Sequence, residues 1–151
     1  GFSGCAQKGT FDMFKMDEAH AKAVEQLRTG AVVQSLETKA LVSAVYLNPI
    51  YPEKYNEGEY FVGAFYFEQN NRNLKKWDLD THGYQLTLNG QKATAIEELE
   101  ESDPRRSLIP VQNNWNKYYF IRFDSVPEGV LTLLLENNQT GRVALNYQKG
   151  K

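Results

Sequence analysis

Cysteine is the scarcest reactive residue in this chain, since Cys5 stands alone among 151 residues. One thiol excludes an intrachain disulfide and a cysteine-based zinc cluster. Histidine is nearly as rare, and His20 and His82 fall in unrelated contexts. There is no H-E-x-x-H pair, no phosphate-cradling G-x-x-x-x-G-K-[ST] loop and no G-x-G-x-x-G fingerprint, so the common metal and cofactor signatures are missing. No G-x-S-x-G turn presents a serine nucleophile. Apolar runs fall far short of the roughly 20 residues that cross a bilayer as a helix. An excess of one charge is also lacking. The 17 basic and 19 acidic residues leave a net charge of −2, with no basic stripe to track a nucleic-acid backbone. These absences lead us to expect a non-catalytic protein with no cofactor, no metal and no nucleic-acid partner.

What the chain does contain is alternation. At 17.3 kDa, with 41% hydrophobic and 13% aromatic residues, it has the size of one domain and enough apolar side chain to fill a core. In the stretch 117–148, Tyr119, Ile121 and Phe123, then Leu131, Leu133 and Leu135, then Val143, Leu145 and Tyr147 recur at every second residue. That period belongs to half-buried antiparallel strands, and it predicts three consecutive strands of one sheet joined by two short turns. Arg122, Thr132, Arg142, Asn146 and Gln148 occupy the opposite face.

Earlier strands are predicted at 32–36, 39–47 and 59–68, the second stopped by Pro49 and Pro52. In 59–68, Phe61, Phe65 and Phe67 alternate with Tyr60, Val62, Ala64 and Tyr66, so both faces are apolar and both require cover. A tight hairpin is expected over 84–96, because Asn89-Gly90 between alternating runs suits a turn whose two residues need φ > 0. The acidic run 97–103 and the basic pair Arg105-Arg106 read as a solvated, locally paired loop or helical turn. Over 13–28, the spacing of Met13, Met16, His20, Ala23, Val24 and Leu27 follows one helical face, with Gly30 as its cap. His20 lies in that apolar stripe and is expected to be a hydrogen-bonded histidine at the core edge. The predicted class is mainly β: an immunoglobulin-like β-sandwich of about seven or eight antiparallel strands, preceded by one amphipathic helix, with a small closed barrel as the alternative.

Phe2-Ser3-Gly4-Cys5 resembles the end of a lipobox, and in this the chain is similar to bacterial lipoproteins. The resemblance implies that Cys5 receives a diacylglycerol with acyl chains such as palmitate and becomes the first mature residue. Residues 1–10 would then be signal remnant, lipidated Cys5 and tether, and 11–151 a single β-sandwich domain. Five residues after Cys5 extend about 17 Å, which holds the domain close to the headgroups. Ala6 after the cysteine implies an outer-membrane lipoprotein facing the periplasm.

Asp78, Asp80 and Gly83 partly match a calcium loop, but His82 and Asn89 occupy ligand positions that want acidic or amide oxygen and a bidentate Glu, so a turn is expected. Asn138 begins an N-x-T sequon at a polar hairpin tip, with Glu136 two residues before it, and is a candidate glycosylation site. Tyr51, Tyr55, Trp77, Trp115 and Tyr118 lie in or beside loops and are candidate binding aromatics. The function expected is a membrane-anchored envelope lipoprotein that binds a protein partner near the membrane. The alternatives are a glycan or cell-wall binding module that uses those aromatics, and an enzyme in which His82 meets Asp78 or Asp80 and a nucleophile in a pocket.

Overall fold

A computed structural model of the chain describes residues 18–68, 83–110 and 116–149. Its strands are β1 (Leu27–Gln34), β2 (Glu37–Tyr46), β3 (Glu59–Phe67), β4 (Gln85–Leu88), β5 (Gln91–Lys92), β6 (Ala95–Glu98), β7 (Lys117–Phe123), β8 (Gly129–Asn137) and β9 (Gly141–Lys149). They form two antiparallel sheets, ordered β1-β2-β3-β7-β6 and β5-β4-β8-β9. A helix, α1, is described over 18–26, and a 3-10 turn spans Pro104–Leu108.

One core joins both sheets. Val42 and Tyr46 from β2, Phe61 and Phe65 from β3, and Ile121 and Phe123 from β7 pack with Leu131, Leu133, Leu145 and Tyr147 from β8 and β9. The alternation over 117–148 therefore identifies the buried face correctly, but the grouping into one sheet is corrected. β7 pairs with β3 and β6, whereas β8 pairs with β4 and β9. Residues 124–128, with Pro127, form no tight hairpin and carry the chain from one sheet to the other. Period two fixes which side of a strand is apolar; it is silent on which strand lies alongside.

β3 is apolar on both faces because the protein covers both. Phe61, Phe65 and Phe67 enter the core between the sheets. Val62 and Ala64 face the other way, into a second cluster with Ala19 and Ala23 of α1, Ile50 and Tyr55 of the loop after β2, and Leu99, Leu108 and Ile109. The helix covers the second face, with two loops beside it.

Three boundaries differ from the sequence reading. Leu27 and Arg28 do not continue α1; they open β1, where Leu27 pairs with Val45 and Gly30 with Val42. Pairing along β2 outweighs the helical spacing of Leu27, and Gly30 serves close packing instead of capping. A Cβ on Gly30 would lie 2.5 Å from Val143 Cγ2 and 3.2 Å from Leu145 Cδ2, so the missing side chain lets β9 rest on β1. Across this seam Arg28 Nε donates to the Asn146 carbonyl at 3.1 Å, and Gln34 Nε2 donates to the Gln139 carbonyl at 2.7 Å.

β1 also stops earlier than predicted. Ser35 and Leu36, at φ 53° and 66°, make a two-residue turn between the paired Gln34 and Glu37. The Asn89-Gly90 hairpin forms as predicted, at φ 49° and 86°. Its second arm is only Gln91–Lys92, after which the chain crosses sheets and Ala95–Glu98 joins β7. Glu97 and Glu98 thus lie in a strand, not a loop, and pair with Arg105 and Lys117 at 3.3 and 3.2 Å.

Candidate functional site

Among the described residues Glu59 is the one carboxylate placed in the core, at 0% exposure. The sequence contained its signal: Glu59 shares the period-two face of Phe61, Phe65 and Phe67, so it must point inward with them. A buried carboxylate persists only where its oxygens are satisfied. Oε1 accepts the Tyr46 hydroxyl at 2.6 Å and Asn48 Nδ2 at 3.2 Å, while Oε2 accepts the Val126 N–H at 2.9 Å and the ammonium of Lys149. Lys149 also donates to the Val126 carbonyl. β2, β3, β9 and the 124–128 crossover are thereby tied at one point. Burial, reinforced by the hydrogen bond to Glu59 and its charge, holds the Tyr46 phenol far above its usual range, so Tyr46 remains a donor.

Over this cluster opens a cleft of about 890 Å³ between the end of α1, the 48–56 loop and the end of β9. Tyr46, Tyr55, Pro49 and Pro52 give it apolar surface, and Gln26, Asn48, Asn56 and Gln148 line it with carboxamides. Asn48 is committed to structure, donating to Gly58 O and Glu59 and accepting from Tyr60 N at 3.0 Å.

A second, smaller pocket of about 210 Å³ lies between α1 and the 3-10 turn, lined by His20, Tyr51, Tyr55, Arg105 and Ser107 among others. His20 Nε2 lies 3.3 Å from Ser107 Oγ, which makes it a hydrogen-bonded histidine at the edge of the second cluster. Ser107 donates its proton to the Pro104 carbonyl at 2.7 Å. The hydroxyl therefore accepts from the imidazole, the reverse of a base activating a nucleophile.

Asp103 caps that turn. Its Oδ1 accepts from Arg105 N at 2.9 Å, and the side-chain hydrogen bond from Arg105 holds its carboxyl below the ordinary 3.8. A depressed value in the folded state means a stabilising contribution present above the unfolded value and lost as pH falls through the folded one. Titrating the Asp103 side-chain carboxyl by NMR should give a midpoint below 3.8; a midpoint at or above it would show that the pair does not persist in solution.

The candidate binding aromatics divide. Tyr51 is half-buried and meets the buried Tyr55 edge-on at 5.8 Å, and Tyr55 in turn packs on Tyr60 at 4.8 Å. Tyr118, at 1% exposure, lies in the second cluster under the Arg106 guanidinium, 4.0 Å from its ring centre. As folded, Tyr55 and Tyr118 are core rings, because the residues beside the loops are drawn under them, and Tyr55 shows only a small part of its surface to the cleft. Trp77, Trp115, Cys5, Asp78, Asp80 and His82 lie outside the described residues. Asn138 is exposed at the β8–β9 tip, where Asn137 Oδ1 accepts from Gln139 N at 2.7 Å and Thr140 N at 3.0 Å. Thr140 Oγ1 pairs with the Tyr84 hydroxyl at 2.8 Å.

Among the described residues no group of three acidic, His or Cys side chains is placed to hold a metal ion, and no helix is long and apolar enough to cross a membrane. Set against protein-family models, curated proteins and solved structures, the chain matches none of them. Its class therefore rests on its own fold: a mainly β domain of two antiparallel sheets with a helix against one outer face.

Proposed function

We propose that this protein is a non-catalytic, lipid-anchored bacterial envelope protein, tethered through Cys5 at the periplasmic face of the outer membrane, whose immunoglobulin-like β-sandwich binds a protein partner close to the membrane. Two antiparallel sheets over a shared core support the sandwich; β1, β2 and β3 run as a meander within one of them. The doubly apolar β3 is no partner surface, since its second face is covered from within.

The observation that carries the reading is Leu36. It is 99% exposed, and it occupies a left-handed turn position beside Ser35 in the same conformation. Two-residue hairpin turns of this kind favour Asn-Gly, and a bulky side chain at positive φ costs about 1 kcal/mol or more. Fully burying a leucine is worth about 2 kcal/mol. A sequence that accepts turn strain while leaving that side chain in water presents it for contact. Val33 is exposed on the same hairpin, and the polar 137–141 tip lies beside it through the bond from Gln34 to Gln139.

Replacing the turn as Ser35→Asn with Leu36→Gly should leave the domain at least as stable, since relief of the positive-φ strain offsets the entropy of the added glycine, and should abolish capture of the partner in crosslinking pull-downs from the native envelope. Capture undiminished by the double change, or no partner recovered by the unaltered protein, would remove the reading. Intact mass and peptide mapping of protein from its own membrane test the anchor: diacylglyceryl on Cys5 supports it, and an unmodified Cys5 that retains its upstream residues overturns it. The same measurement reads glycan on Asn138, which would flank the Leu36 contact.

A further inference from the structure

We propose that the cleft beside Glu59 is a binding site for a neutral oligosaccharide, separate from the Leu36 contact. The cleft, about 890 Å³ in volume, is open to solvent, which suits an extended ligand that lies along the surface. The polar groups that face it are carboxamides contributed by three different elements: Gln26 at the end of α1, Asn56 in the loop and Gln148 on β9. Among the described residues neither Gln26 nor Gln148 has a side-chain hydrogen-bond partner, and Asn56 spends only its Nδ2, on the Glu53 carbonyl at 3.3 Å.

A carboxamide donates and accepts at once, which is the pattern that adjacent sugar hydroxyls present. Pro49 and Pro52, with the small part of Tyr46 and Tyr55 that reaches the wall, supply apolar surface for the C–H groups of a pyranose ring. Charge decides between ligands. Lys149 is the one charged side chain lining the cleft among the described residues, and its ammonium is already neutralised by Glu59. An anionic ligand therefore finds no uncommitted cation, while a neutral polyol loses nothing. A peptide that binds by adding a strand needs an open strand edge. At β9 the Asn146 carbonyl is occupied by Arg28, and β1 lies alongside.

The buried ion pair gives the cleft its rigidity. Tyr46 and Lys149 are each fixed by Glu59, and Asn48 is fixed by three backbone and side-chain bonds, so the floor is set before a ligand arrives.

The test is an NMR titration of the full 151-residue chain with cellotetraose, chitotetraose and maltotetraose in turn, following the side-chain NH₂ signals of Gln26, Asn56 and Gln148. At least one probe should shift all three signals saturably, with weak affinity. The Gln26→Ala/Gln148→Ala variant should lose about tenfold or more of that affinity with its melting temperature unchanged. The Ser35→Asn/Leu36→Gly protein should bind sugar as the unaltered one does, so the two sites fail or stand independently. The proposal is overturned if no probe gives a saturable shift, if the Gln variant binds as well as the unaltered protein, or if a proline-rich peptide shifts these signals and the sugars do not.

Discussion

Lys149→Met should lower the unfolding free energy by about 3 kcal/mol, the low end of the cost of breaking a buried ion pair by removing one partner. The asymmetry of the pair sets the size. Lys149 keeps 25% of its side chain in contact with water, whereas Glu59 has none. Removing the lysine strands a carboxylate in the core, with Tyr46, Asn48 and the Val126 N–H as its remaining donors. Removing the charge from the other side, by Glu59→Gln, leaves an ammonium that can turn outward and an oxygen that still serves Tyr46 and Asn48, and costs the acceptor of the Val126 N–H. Glu59→Gln should therefore cost clearly less than Lys149→Met. Urea denaturation at neutral pH, with the m-value unchanged, compares the two. Equal costs, or the reverse order, would mean that water reaches Glu59 in the folded protein.

Phe61→Ala is expected to cost about 3–5 kcal/mol. Its ring is fully buried where the two sheets meet, stacked on Tyr46 at 5.1 Å and edge-on to Tyr147 at 5.2 Å and Phe123 at 5.8 Å. These neighbours sit on β2, β9 and β7, so no single side chain can move in to fill the space. Against a typical total of about 5–15 kcal/mol, such a loss leaves the domain marginal. Because Tyr46 also floors the cleft, the variant should bind oligosaccharide less well than its remaining folded fraction predicts. Tyr66, on the outward face of the same strand and only half-buried, supplies the comparison: Tyr66→Ala should cost less than half as much. Near-equal losses would show that the core does not centre on Phe61.

How far the site could be read in advance varies residue by residue. Glu59 was legible, since alternation with Phe61, Phe65 and Phe67 points it inward, yet the residues that neutralise it come from positions 46, 48, 126 and 149. No local spacing connects them. Leu36 falls inside the predicted 32–36 strand because Ser-Leu carries none of the usual turn chemistry, and the turn exists because β1 and β2 pair in a register that leaves two residues between Gln34 and Glu37. Tyr55 and Tyr118 looked available for binding because they neighbour loops. Helix α1, the 48–56 loop and the 3-10 turn close over them.

The sequence by itself determined the apolar face of the strands at 39–47, 59–68 and 117–148 and the turn at Asn89-Gly90, because period two, the prolines at 49 and 52 and the Asn-Gly pair act over a few residues. It also determined that β3 needed cover on both sides. That residues 27 and 28 open a strand and 97 and 98 lie in one came from pairing with β2 and β7. Tertiary structure decided which strands are neighbours, that β7 and β8 lie in different sheets, and that the ends of α1, β9 and the 48–56 loop meet around one cleft. Those outcomes depend on which apolar faces can be buried together and on which donors reach a buried carboxylate, and such contacts join residues far apart in the chain.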